Sequence, residues 1–388
     1  MAILRSSRSL HYVICAIALF GVEACATAVE ESPKTWVLPN GGAVETVGKT
    51  EHFHLHDLRQ DDEALYWSLS EAETMENGVS PADGIYSVPK SGGTPRLLHA
   101  TANVIGLAVD AVHVYWTEGS GEGSVIRRIP KKGGNAETFF TSPLASGGGS
   151  IVTDAEHVYW ASGRPEVGSS AAQAIHTISK ASREAALTTL PGSDFIDGLQ
   201  LKEGLLYFWH YEPATASRRI ERMPVSGGPF ATVGAPMDAR SSVSDKFAVQ
   251  GDLLFFCETK PLSTTTTVVR ASISTGQRVL LSPSIKGSTS CDFAEGTGET
   301  VWLGSFSRTS ARGPESSEST MTIYRWQPDR TELSIHAQRE YPTDMLDDPP
   351  HGLVVDKSRL FWFELGPSAE YTSILSAPTP ASAPPGNR

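Results

Sequence analysis

Basic charge is in short supply: 32 Lys and Arg stand against 44 Asp and Glu, a net charge of −12, and a surface of that sign repels nucleic acid. A bilayer-spanning run is missing near the start, where the apolar stretch from Tyr12 to Val22 is too short to cross as a helix. Beyond it no apolar period of 3.6 persists, which argues against a helical protein. Common catalytic motifs are absent as well. There is no Gly-x-Ser-x-Gly elbow, no His-Glu-x-x-His, no phosphate-cradling Gly loop ending in Lys-Ser/Thr and no Cys-x-x-Cys. Ser146-Gly147-Gly148-Gly149-Ser150 reads as a flexible loop before a strand, because no helix follows it to hold a phosphate. Turn chemistry is abundant instead: 35 Gly and 25 Pro accompany 39% hydrophobic and 20% charged residues, the mixture of a folded, turn-rich chain.

Both ends read as segments outside the fold. Arg5 and Arg8 precede the Tyr12–Val22 run, the layout of an export leader over residues 1–24. Two cleavage readings stand. Val22-Glu23-Ala24-Cys25 resembles a lipobox with Cys25 as the lipidated N-terminus, whereas Ala24-Cys25-Ala26 fits small-x-small cleavage after Ala26. Acyl chains on Cys25 tether the protein to a membrane without a spanning helix. Either reading exports the chain, to the periplasm, the outer membrane surface or the medium of a bacterium. Residues 27–33 are a tether, and residues 378–388, Pro-rich from Thr379, a disordered tail. Cys15 is lost with the leader, so Cys257 and Cys291 are the internal pair, either bonded between neighbouring repeats or left as two buried thiols.

A repeat dominates the rest. An apolar-aromatic strand recurs as Ala64-Leu65-Tyr66-Trp67, His113-Val114-Tyr115-Trp116, His157-Val158-Tyr159-Trp160, Leu205-Leu206-Tyr207-Phe208, Leu253-Leu254-Phe255-Phe256, Thr300-Val301-Trp302-Leu303 and Arg359-Leu360-Phe361-Trp362. Steps of 49, 44, 48, 48, 47 and 59 residues separate the copies, the length of four short strands with their turns. Upstream lies a short apolar strand closed by a turn acid, Asp61, Asp110, Asp154 or Asp356, whose carboxylate suits a tight turn because it accepts backbone N–H bonds. Downstream an alternating strand ends in Pro and a double Gly, as at Pro89 with Gly92-Gly93 and Pro130 with Gly133-Gly134, and a fourth strand follows. Four-stranded sheets of this size cannot bury both faces alone. They must stack radially, with the aromatics of every second strand as packing between blades rather than a sugar platform.

The expected fold is therefore a seven-bladed all-β propeller over residues 34–377, with six or eight blades as the alternatives. The last copy supplies only three strands, Gly352–Val355, Leu360–Glu364 and Thr372–Ala377. The end of the stretch Trp36–Val47 is expected to add its outer strand and so join the two chain ends.

Tyr115-Trp116-Thr117-Glu118, with Asp110 before it and Ile126-Arg127-Arg128-Ile129 after it, resembles the YWTD-type propeller repeats of low-density-lipoprotein receptors and of uncharacterised exported bacterial propellers. The resemblance runs from about residue 36 to 377 and degrades to Tyr159-Trp160-Ala161-Ser162 and Phe255-Phe256-Cys257-Glu258. It implies a binding or scaffold module. YWTD domains usually have six blades, against the seven copies here.

Loops entering each first strand open onto the channel mouth, where functional groups gather on a rigid ring. The aligned entry residues are His56, Ile105, Gly149, Asp197, Asp245, Asp292 and His351. His56, Asp197, Asp245, Asp292 and His351 form a candidate cation set, the carboxylates favouring calcium or magnesium and the imidazoles zinc or manganese. His52, His54 and His56 alternate as on one strand face, but are expected in an exposed loop ahead of the first strand. Two functions follow. The first is a non-enzymatic, monomeric binding ring for a protein, peptide or envelope glycan. The alternative is a metal-dependent hydrolase, lactonase or lyase whose His56/His351/Asp cluster polarises a carbonyl or activates water.

Overall fold

The computed structural model describes residues 35–380 except 40, 51–54, 70–82, 103, 121–122, 143–148, 162–173, 190–194, 213–216, 239–241, 261–262, 297–298, 311–316, 329, 342–351 and 366–371. Each repeat folds as a four-stranded antiparallel sheet. Blades 1 to 6 span Leu55–Ala100, Val104–Ser142, Ile151–Thr189, Phe195–Asp238, Ser242–Lys286 and Ser288–Tyr341. Blade 7 takes Val354–Val355, Arg359–Leu365 and Thr372–Pro378 from the end of the chain and Glu45–Thr50 from its beginning, as expected. Every first strand packs beside the first strands of both neighbours, blade 7 against blade 1 included. Seven blades thus close into a ring.

The alternation of the second strand sends one aromatic to each seam. Tyr66 packs with Leu107, Val114 and Trp116 of blade 2, while Trp67 packs with Phe361 and Phe363 of blade 7. Trp67, Trp116, Trp160, Trp209 and Trp362 are fully buried. Each is worth about 2–3 kcal/mol of burial, available only because the next blade is there.

The turn acids do more than close turns. Asp110 accepts N–H bonds from Val112 and His113, both 2.7 Å, on one oxygen. Its other oxygen accepts the Tyr115 hydroxyl at 3.1 Å and the Lys180 ammonium of blade 3 at 2.5 Å. Asp61 repeats the arrangement with Tyr66 and Lys131 of blade 2, and Asp356 with Lys90 of blade 1. Burial alone would raise the Asp110 pKa, but Lys180 and the two turn N–H groups outweigh it and hold it at about 2. The clasp thus laces blades 7, 1, 2 and 3 in succession. Blades 5 and 6 are joined differently, by a Cys257–Cys291 disulfide.

Closure uses more chain than one strand. Val37 exchanges backbone bonds of 2.8 and 3.0 Å with Gln338 in the outer strand of blade 6 before Glu45–Thr50 enters blade 7. Trp36 packs edge-on against Trp362 at 5.1 Å. Its indole N–H donates to Glu364 at 3.1 Å, a carboxylate that also receives Arg339 and the Tyr341 hydroxyl. The segment therefore straddles the last seam. At the other end Thr379 donates to the Ser358 carbonyl at 2.7 Å.

Two buried histidines make stability depend on pH. His176 stacks on Trp160 at 4.4 Å and His336 meets Trp302 at 4.8 Å. Burial lowers both to about 4 from the ordinary 6.5. An unfolded chain binds these protons near pH 6.5 and the folded one only near 4. Their contribution is therefore complete above pH 6.5 and lost as pH falls to 4, on the order of 3 kcal/mol for each. Denaturant unfolding across pH 7 to 4 should show that loss, and His176→Phe should flatten its share. Asp110→Ala, which strips Tyr115, Lys180 and two turn amides of their acceptor, is expected to cost about 3 kcal/mol in the same assay at pH 7.

Candidate functional site

A first strand is hydrogen-bonded on one side only, so its axial edge leaves N–H and C=O groups without ladder partners. Side chains of adjacent blades supply them. Asp57 Oδ2 accepts the Leu107 N–H at 3.1 Å, and Arg59 Nε donates to the Leu107 carbonyl at 2.8 Å. Ser150 Oγ accepts the Gly198 N–H at 3.1 Å and donates to Asp197 at 3.0 Å. Asp292 accepts the N–H groups of Gly352 and Leu353. Farther along the axis Gln60 donates to the Val355 carbonyl at 2.6 Å, and Glu295 accepts the Val249 N–H at 2.9 Å.

Among the described residues two ion pairs then link blades that are not neighbours. Near the mouth the Lys246 ammonium of blade 5 stands 3.7 Å from Asp57 Oδ1 of blade 1, which Arg59 also reaches at 3.1 Å. Toward the turn end Lys202 of blade 4 pairs with Glu295 of blade 6. The axis is crossed by charge at two levels. Lys246, with 48% of its side chain exposed, is the open member of the first cluster.

Strand pairing separates two levels that spacing alone had merged. Tyr66, Tyr207, Phe255 and Trp302 pair with Arg59, Gln200, Ala248 and Ala294. Asp292 is consequently level with Asp57 and Lys246, whereas Asp197 is level with His56. The blade 6 turn, from Gly296 to Thr300, is longer than its counterparts, and counting back from the aromatic could not see this. His56 is also corrected: it lies within the strand Leu55–Gln60 rather than in a loop before it. Buried Leu55 and Leu58 pull that segment into the sheet, and a bulge at Asp57, with φ of 50°, lets both turn inward.

Of the candidate cation set, Asp197 and Asp292 have described side chains. They stand in blades 4 and 6, each bonded to the adjoining blade. The side chains of His56 and Asp245, and His351 entirely, fall outside the described residues. Among the described residues no three His, Cys, Asp or Glu side chains gather as a metal-binding group. Residues missed from sequence are Asp57, Arg59, Lys202, Lys246 and Glu295. Each is a charged residue within a first strand that also carries buried side chains, such as Leu58, Leu199, Ala248 and Ala294.

No protein-family model and no curated protein matches the chain. Among solved structures it is similar to a chain of a mitotic checkpoint complex, with a TM-score of 0.54 at 12% identity, over 92% of this chain and 98% of that one. It is also similar to a chain of a nidogen/laminin complex, with a TM-score of 0.42 at 16% identity, over 58% and 78% of the two chains. At these identities the likeness is one of fold.

If Asp292 and Asp197 serve as braces between blades, millimolar calcium or zinc leaves the melting temperature of the purified protein unchanged and Asp292→Ala lowers it. A melting shift with either metal that Asp292→Asn abolishes would support the cation reading instead.

Proposed function

We propose that the chain is an exported binding or scaffold ring that engages a protein partner through its channel-mouth end. One observation carries the reading: the two ends of the ring are built differently. The turn end is closed by short turns whose acids are clasped by Lys90, Lys131 and Lys180 of the next blade. The long connections 70–83, 162–173 and 342–353 all join strands at the mouth end. The described rim there offers Ile105, 46% exposed, two residues before Leu107, whose backbone Asp57 and Arg59 bond. An apolar side chain next to charges fixed on a rigid ring suits recognition of a protein surface. A chain of the same fold occurs in the mitotic checkpoint complex, which fits a scaffold role.

Export rests on residues 1–24, with Cys25 as the acylated N-terminus or Ala26 as the last residue removed; these positions lie outside the described residues. Intact mass of the secreted or membrane-extracted protein distinguishes the two.

Ile105→Glu should weaken capture of a cross-linked envelope partner at least tenfold without lowering the melting temperature. Val112→Glu, 58% exposed at the turn end, should have no effect. The opposite pattern would move the binding face to the turn end.

A further inference from the structure

The outer strands are the ring's free sheet edges, and six of the seven are interrupted. Leu98, Phe139, His336 and Val47 are each an extra residue out of register with the third strand, and each is buried. The outer strands of blades 4 and 5 make wider excursions that contain Pro236 and Pro283. Arg96, Glu137, Arg278, Glu45 and Lys49 place charges on four of these edges, and Val37 covers part of the blade 6 edge. Bulges, charges and cover are the devices that stop an edge from accepting another strand.

Blade 3 has none of them. Its outer strand, Ala185–Thr189, pairs with Ala174–Ile178 residue for residue without a shift. It contains neither charge nor Pro and is exposed at every position except Thr188, with Leu187 51% exposed. Arg183, just before it, is turned away to Glu137 of blade 2 at 3.1 Å.

We propose that this edge docks an extended, uncharged peptide segment of a partner protein, added as a fifth strand of blade 3. Main-chain N–H and C=O groups supply the affinity. Ala185, Leu187 and Thr189 share one face and select small or β-branched apolar side chains at alternate positions. The area favours a peptide over a second ring. Five residues of strand extend only about 17 Å, and two rigid rings touching along that line fall short of the ~1,200 Å² a stable association buries. A flexible segment can follow the sheet beyond the edge. Net charge of −12 and Glu184 just before the strand disfavour an acidic segment.

The test uses the full mature protein and a synthetic Thr-Val-Thr-Val-Thr peptide with both ends blocked, read by hydrogen exchange and by titration. Alternate amides of residues 185–189 should exchange at least tenfold more slowly with the peptide. Ala186→Lys and Thr188→Lys should weaken binding at least tenfold at unchanged melting temperature, and Ile105→Glu should not alter it, which separates this edge from the mouth. The proposal is overturned by absent protection or by equal binding to the lysine variants. It is also overturned by a monomer–dimer equilibrium that Ala186→Lys abolishes, since that outcome assigns the edge to a second copy.

Discussion

A small antiparallel sheet has two bare edges and two bare faces, and none of the seven sheets here has the means to cover its own. The faces are covered when two successive large side chains of each second strand, an aromatic pair in every blade but the sixth with its Trp302-Leu303, point to opposite seams. The axial edges need hydrogen-bond partners that only an adjoining blade supplies: Asp57 to Leu107, Ser150 to Gly198, Asp292 to Gly352 and Leu353. An unpaired buried amide costs about 1–3 kcal/mol. Those few side chains therefore decide whether the inner wall of the ring holds.

Because every seam faces the same requirement, the differences between seams are informative. Blades 7, 1, 2 and 3 share one Asp–Tyr/Phe–Lys clasp. At the seam of blades 3 and 4 lies a buried cluster in which Glu221 meets His210 at 3.0 Å and Arg219 at 2.7 Å. Blades 5 and 6 use the disulfide, and blades 6 and 7 use Glu364 with Arg339, Tyr341 and Trp36. One arc is repetitive and the other individually fitted. The Lys246–Asp57 pair connects the two arcs across the axis and the Lys202–Glu295 pair links blades 4 and 6 within the second arc, which makes the channel part of the support.

The architecture was legible because the repeat forces it. Tyr66-Trp67 and its six counterparts mark every second strand, and the missing strand of the last copy pointed to the N-terminal segment. The clasp was half legible: Asp61, Asp110 and Asp356 were visible as turn acids, but Lys90, Lys131 and Lys180 act on the preceding blade, a contact between repeats that no local pattern encodes. The site was less legible still. A bulge at Asp57 and a longer turn in blade 6 displace residues by one position. Counting therefore selected His56 over Asp57 and placed Asp292 on the wrong level. The unguarded edge of blade 3 is also invisible without register, since its distinction is the absence of a bulge that the other outer strands carry.

Hydrogen exchange at the axial edges measures the central claim most directly. In the intact ring the Leu107, Gly352 and Leu353 amides should be strongly protected. Asp57→Ala should accelerate Leu107 alone, and Asp292→Ala should accelerate Gly352 and Leu353 alone. Unchanged exchange at these amides in both variants would contradict the account, because it would mean that the inner wall does not depend on side chains lent by the neighbouring blade.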